Sequence, residues 1–237
     1  MKILTILPTY NEAGNITRIL KELSSNFPQI DILHIDDNSP DGTAEIALEF
    51  GLENYRQIRN FNKLGLGTAY KQGFKWALER GYELVITMDS DGSHHVSEIT
   101  RLMAGIDGFD LVVGARWIPG GTVANWPLYR RIISRFGTWY AKKALKLPFS
   151  DLTSGFRIYR TSALEKIDFD QIEGKGYVFQ IQMVETIAKL GAKINEVPIT
   201  FTERINGKSK MSGKIAVEAF GWLTRRYLSR RAFTRNK

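Results

Sequence analysis

Two carboxylates stand one residue apart in Leu84-Val85-Ile86-Thr87-Met88-Asp89-Ser90-Asp91-Gly92-Ser93-His94. They follow an apolar run too short for a helix, the pattern of a buried parallel strand whose carboxyl end carries acidic side chains into a crevice. Asp-x-Asp at such a place suits one divalent cation, because hard cations such as Mg²⁺ take few carboxylates and fill their shell with water and substrate phosphates. Gly92 allows the sharp backbone turn that the pair needs. Asp, Ser and Gly also gather at turns for reasons unrelated to metal, so the pair has to be weighed against the elements that position it.

Those elements alternate. Ile3 to Leu7 reads as a central strand that runs into Pro8-Thr9-Tyr10-Asn11-Glu12, and Ile16, Ile19, Leu20 and Leu23 predict a helix from about Glu12 to Ser25. Ile30 to Ile35 is a second strand, ending in Asp36-Asp37-Asn38-Ser39-Pro40-Asp41-Gly42-Thr43, where Asp41 or Ser39 can cap the next helix. A strand over Tyr55 to Arg59 leads through a Gly-rich loop to a helix over Thr68 to Arg80, with Gly81 as its stop. Strand and helix in alternation argue for a parallel sheet, with the acidic and Gly-rich loops along one edge, where a nucleotide would sit.

Beyond the Asp pair the pattern predicts a helix over Val96 to Ile106, a strand over Asp110 to Ala115, a helix over Leu128 to Leu147, a short strand over Phe156 to Arg160, a helix over Tyr177 to Leu190, a strand over Ile194 to Phe201 and a final helix over Ile215 to Leu228. Arg130, Arg131 and Arg135 stand near the start of the long helix, where cations oppose the helix dipole. They point to an anion site or form a solvated basic face. Trp76, Phe74 and Trp139 fall at helical spacings and are expected in the core, whereas Trp117 and Trp126 flank a Gly-rich loop and suit either lipid or sugar contact or plain packing. His94 and His95 are expected to be surface-loop residues.

The 237-residue chain fits one domain over 1–237, and it has no cysteine, hence no disulfide framework and no thiolate chemistry. No leader peptide is evident after Met1, and no apolar run reaches the length of roughly 18 residues that a membrane span needs. The formal charge of +8 implies an anionic partner. From Arg225 to Lys237 there are six cations, no acid and interspersed aromatics, which suits an anionic membrane surface, RNA or a solvated tail. A nucleic-acid-binding protein would leave the acidic strand ends unexplained.

Taken together, these stretches resemble the family 2 glycosyltransferases of the GT-A fold, and among them the polyprenol-phosphate (dolichol-phosphate) mannosyltransferases, in particular the actinobacterial polyprenol monophosphomannose synthases. The resemblance is carried by the segments already quoted around Tyr10, Asp37 and Asp89, by Leu64-Gly65-Leu66-Gly67-Thr68-Ala69-Tyr70, Gly114-Ala115-Arg116-Trp117, Asn125-Trp126-Pro127, Asp151-Leu152-Thr153-Ser154-Gly155-Phe156-Arg157, Gly176-Tyr177-Val178-Phe179-Gln180, and Glu196-Val197-Pro198 through Ser209-Lys210-Met211-Ser212. It implies an α/β fold, a mostly parallel sheet of about seven strands between helices, with a C-terminal amphipathic helix and a basic membrane-associating segment over 214–237.

It also implies roles. Pro8, Tyr10, Glu12, Ile35, Asp37 and Ser90 would hold the nucleoside end of GDP-mannose; Asp89 and Asp91 would bind Mg²⁺ or Mn²⁺ on its diphosphate; Arg204 and Lys210 would close over the phosphates. Arg116, Arg130 and Ser134 would grip the phosphate of a polyprenyl phosphate lipid. Some relatives have Gln as a third metal ligand where this chain has Ser93, and Gln182 stands where relatives often carry an acid. The implied enzyme is peripheral on the cytoplasmic face of a membrane, and its actinobacterial relatives work beside, or fused to, a multi-spanning membrane protein. A UDP-sugar transferase to the same lipid class, or an inactive membrane scaffold of the same fold, would share most of these motifs.

Overall fold

A computed structural model describes residues 1–204, 217 and 219–228. Its centre is a seven-stranded sheet in the order β3-β2-β1-β4-β7-β5-β8, built from β1 (Ile3–Thr9), β2 (Asp31–Asp36), β3 (Tyr55–Arg59), β4 (Leu84–Thr87), β5 (Leu111–Ala115), β7 (Arg157–Arg160) and β8 (Ile194–Pro198). All run parallel except β7, which lies antiparallel between β4 and β5. β1 and β4 are buried along their whole length, which is why both read as unbroken apolar runs. The strand order reverses beside β1, so the carboxyl ends of β1 and β4 open one crevice, the usual ligand position in such sheets.

Helices cover both faces. On one side α1 (Ala13–Asn26), α2 (Thr43–Glu49) and α4 (Ile99–Ala104) pack Ile16, Ile19, Leu20, Ala47 and Leu102 against Leu7, Ile32 and Ile86. On the other, α3 (Leu66–Glu79), α5 (Leu128–Leu145), α6 (Thr161–Leu164) and α7 (Gly176–Lys189) contribute Tyr70, Phe74, Leu145, Leu164, Ile181 and Val184 to a second core with Leu4, Ile6 and Val85. α3 lies very close to β1: a Cβ added at Gly73 would meet Ile6 Cδ1 at 2.6 Å.

Several expectations need correction. The helix expected over 96–106 begins as a single 3₁₀ turn, Val96–Glu98, before α4. The strand expected over 194–201 is interrupted at Ile199: β8 stays in the main sheet, and β9 (Thr200–Phe201) pairs with β6 (Thr122–Val123) in a separate ribbon. Trp139 is 53% exposed rather than in the core, on a face of α5 where Leu128, Ile132, Ile133 and Phe136 are exposed as well; Phe74 is buried and Trp76 packs at the edge of the core, as expected. Residues 219–228 are helical, with Leu223 buried and Trp222 packed on the core. Lys210, the start of that helix at Ile215 and the basic tail beyond 228 lie outside the described residues.

Candidate active site

The sequence ends β4 at the crevice, and the turn after it places the acidic pair. Gly92 takes φ +82°, a left-handed conformation costly for other residues, and Asp91 Oδ1 accepts from the Ser93 amide at 3.0 Å. The Ser90 hydroxyl donates to the Pro8 carbonyl at 3.0 Å, tying the end of β4 to the end of β1.

His94 departs from expectation. It is buried, stacked on Phe156 at 4.9 Å and met edge-on by Phe201 at 5.3 Å. Its Nδ1 accepts from the Asp89 amide at 2.9 Å, so the ring fixes the backbone of the first carboxylate. Desolvation pulls its pKa down to about 4 despite Asp91 nearby, so it is neutral at physiological pH. Sequence reasoning missed this because Phe156, just before β7, and Phe201 of β9, which bury the ring, are distant in sequence.

Burial by itself would raise the Asp91 carboxyl, but the Ser93 hydroxyl, Arg204 and the Ser93 amide outweigh it and hold it below the ordinary range, so it is ionised. Arg204 Nη2 lies 2.7 Å from Asp91 Oδ2, and its Nη1 is 3.9 Å from Glu12. A cation is thus already seated against these acids. Ser93 Oγ is buried and, though close to Asp91, has no well-formed hydrogen bond. Among the described residues no three His, Cys, Asp or Glu side chains converge into a metal cage. The Asp89–Asp91 pair with the Ser93 hydroxyl beside it fits a hard cation that draws its other ligands from water and phosphate oxygens.

The expected nucleoside residues ring the same edge. Glu12 is buried and accepts from Asn15 Nδ2 at 2.7 Å. Lys63 Nζ sits 3.6 Å from the Tyr10 ring centroid. Asp37 accepts from the amides of Leu64 (2.8 Å) and Gly65 (2.7 Å) and from Asn60 Nδ2 (3.1 Å), so its carboxylate fastens the Gly-rich loop that opens α3. The Ile35 side chain belongs to the core, because alternation along β2 turns it away from the crevice.

Arginines supply the opposite wall. Arg116 is buried and forked onto Asp151, Nε to Oδ2 at 2.6 Å and Nη2 to Oδ1 at 2.7 Å, with a further bond to Thr153. Burial works against both charges, but each partner outweighs it for the other: Asp151 is held below, and Arg116 above, its ordinary value. Glu196 completes the arrangement by accepting from the amides of Ser150 (2.7 Å) and Asp151 (2.8 Å). Arg130 lies 4.1 Å over the Trp126 ring and pairs with Glu203, and Ser134 follows one turn later on the same face of α5. Trp117 and Trp126 each have a buried indole N–H without a hydrogen-bond partner.

Tyr177, in the first turn of α7, feels Arg116, Asp89, Arg130 and Asp91 together, although desolvation is what chiefly raises its pKa. It therefore lies between the acidic and basic walls. Asp151, Glu196, Tyr177 and Glu203 carried no expected role; Asp151, Tyr177 and Glu196 stand in segments that carry the family resemblance, but the partners that give them a place in the site are remote in sequence. Gln182 bridges the Gly174 amide and the Gln171 carbonyl and is structural. A cavity of about 490 Å³ adjoins Arg116, lined by Trp117, Val123, Leu128, Arg131, Ile132 and Arg135.

Comparison with known proteins agrees with this architecture. An undecaprenyl-phosphate mannosyltransferase of Micrococcus luteus is 46% identical over 227 residues, 95% of this chain and 93% of the relative. A polyprenol monophosphomannose synthase of Mycolicibacterium smegmatis is 44% identical over 222 residues, 92% of this chain and 84% of the relative. Glucosyl-3-phosphoglycerate synthase of Mycobacterium tuberculosis, solved with Mn²⁺, UDP and phosphoglyceric acid, superposes with a TM-score of 0.73 at 18% identity over 95% of this chain and 78% of that one, a likeness of fold. Residues 5–168 match glycosyl transferase family 2. On the strength of that match, a GT-A sheet and close relatives along nearly its whole length, the chain belongs to glycosyl transferase family 2 and is a glycosyltransferase.

Proposed function

We propose that the protein transfers mannose from GDP-mannose to a polyprenyl phosphate, with inversion, as a peripheral enzyme on the cytoplasmic face of a membrane. The observation that carries this reading is the likeness, above 40% over more than nine-tenths of the chain, to two relatives whose names state mannosyl transfer to polyprenyl lipids. The geometry supports it: an acidic pair faces arginines across one crevice.

In this reading Pro8, Tyr10, Glu12, Asp37 and Ser90 surround the nucleoside. Asp89 and Asp91 hold Mg²⁺ or Mn²⁺, which when bound neutralises charge building on the leaving diphosphate. His94 keeps the Asp89 backbone in place for that purpose. The acceptor is a phosphate monoester with a second pKa of about 6, already largely dianionic near neutrality, so no strong base is required. Arg130 and Ser134 orient it. Arg116, neutralised by its fork to Asp151, offers directional N–H groups more than net charge. An acceptor oxygen forms a bond to the anomeric carbon while the bond to the diphosphate breaks, and GDP leaves with the electron pair. Displacement from the opposite face gives a β-linked mannosyl phosphate.

Transfer of labelled mannose from GDP-mannose to a short polyprenyl phosphate tests the reading, with and without EDTA and with UDP-glucose in parallel. Metal-dependent mannolipid is expected. Product from UDP-glucose alone would replace the donor assignment, and an α anomer by NMR would overturn inversion.

A further inference from the structure

α5 is amphipathic in an unusual sense. Its Thr138, Ala141, Ala144 and Leu145 are buried against the core. Yet Leu128, Tyr129, Ile132, Ile133, Phe136 and Trp139 are all more than half exposed, from 53% for Trp139 to 72% for Leu128. At 3.6 residues per turn these six side chains fall within an arc of about 140° on one face of the helix. Six large apolar groups on one helix face form a contiguous patch, not the scattered exposure normal for a surface.

The patch has a charged border. Arg131, Arg135 and Lys142 run as a row along one flank, and the helix contains no acidic residue. The apolar surface continues onto residues 219–228, where Phe220, half exposed, stacks on Tyr140 at 4.5 Å and Arg225 is exposed. Leu128, Arg131, Ile132 and Arg135 also line the cavity beside Arg116, so the patch reaches that cavity's mouth.

We infer that α5 lies in the plane of an anionic bilayer, with Leu128, Tyr129, Ile132, Ile133, Phe136 and Trp139 among the acyl chains and Arg131, Arg135 and Lys142 at the headgroups. A helix that is long in apolar contact yet basic and short of acids is built for the interface and not for a span; no described helix is apolar enough to cross. Tyr and Trp favour that depth because one end of each is apolar and the other polar. A second copy of the chain is the less fitting occupant, since a two-fold contact would set the basic rows against each other with no carboxylate on α5 to offset them. The placement deepens the proposed function: it turns the cavity toward the membrane, so that an acceptor keeps its chain in lipid while its phosphate reaches the arginines.

The test uses the full chain and vesicles without either substrate, so that it stands apart from the catalytic reading. Vesicles rich in phosphatidylglycerol are compared with pure phosphatidylcholine by co-sedimentation. The wild type is expected to prefer the anionic vesicles, and added salt to weaken binding. The double variant Phe136→Glu with Trp139→Glu should bind them about tenfold or more less tightly, while Phe136→Leu with Trp139→Leu retains binding. On a water-soluble short acceptor the Glu variant should keep wild-type activity, which also shows that it folds, and should lose activity toward acceptor embedded in vesicles. Equal vesicle binding by wild type and Glu variant would overturn the inference and leave the interaction to other segments. A wild-type dimer made monomeric by the substitutions, with vesicle binding unchanged, would assign the patch to a second copy. A wild type inactive on all acceptors that still binds vesicles through Phe136 and Trp139 would sink the proposed function and leave this inference standing.

Discussion

Adjacent residues with opposite charges, Glu203 and Arg204, reach opposite walls of the crevice: Glu203 pairs with Arg130, and Arg204 with Asp91. Glu203 thus holds the cation expected to meet the acceptor phosphate. Partly exposed pairs of this kind are worth about 0.2–1 kcal/mol. Glu203→Gln should therefore lower the KM for polyprenyl phosphate by up to about fivefold with kcat little changed; an unchanged or raised KM would show that Glu203 does not compete. Asp151 is the other residue on which the basic wall depends. Asp151→Asn leaves the buried Arg116 guanidinium without its counter-charge and should cost roughly 3–5 kcal/mol in denaturant unfolding, with a fall in activity. Because the Asp151 pKa is depressed in the fold, the stability it contributes is present above its unfolded pKa and is lost as pH falls through the folded one.

At the scale of elements, three strands are joined by one buried polar chain. The Tyr55 hydroxyl of β3 meets His34 Nδ1 at 2.6 Å; His34 Nε2 meets Thr9 Oγ1 of β1 at 2.6 Å; and the Thr9 hydroxyl donates to Asp36 Oδ2 at 2.9 Å. With the ring proton on Nε2, every step has one donor and one acceptor, so the neutral ring suits the chain. Desolvation pulls the His34 pKa from 6.5 to about 4, against the pull of Asp36. The stability that it contributes is complete above pH 6.5 and is lost as pH falls toward 4, at most about 3 kcal/mol. Comparing His34→Gln with wild type across that range isolates the contribution: the variant should lose less stability on acidification, and parallel curves would refute the assignment. Elements of this sheet were legible in the sequence where they are buried on both faces. β1 and β4 are examples, since continuous apolar runs need no partner to be recognised. The break at Ile199 was not legible, because Thr200 and Phe201 leave the main sheet only when β6 offers them a ribbon.

For the molecule as a whole, the proposed function puts nucleotide, metal and phosphate together in the crevice at the strand-order reversal, so on that reading ligands should stabilise the fold by mass action. GDP with Mg²⁺ at a hundredfold excess over its Kd should add about 2.7 kcal/mol to unfolding stability, GDP with EDTA much less, and UDP with Mg²⁺ less than GDP. Equal shifts with and without metal in thermal unfolding would argue against a cation on the Asp89–Asp91 pair.

Local pattern determined what depends on neighbours in the chain. The alternation of strand and helix, the acidic ends of β2 and β4, the turn at Gly92 and the motifs that mark a family 2 glycosyltransferase were all readable from the amino-acid order, because hydrophobic period and turn chemistry are properties of short segments. Tertiary structure decided what depends on segments far apart. It buried His94 between Phe156 and Phe201, paired Arg116 with Asp151, brought Tyr177 between the two charged walls, and left Trp139 facing outward when helical spacing placed it equally well in a core. Helical periodicity states that a face is apolar; only the packing of the other elements decides whether protein covers it.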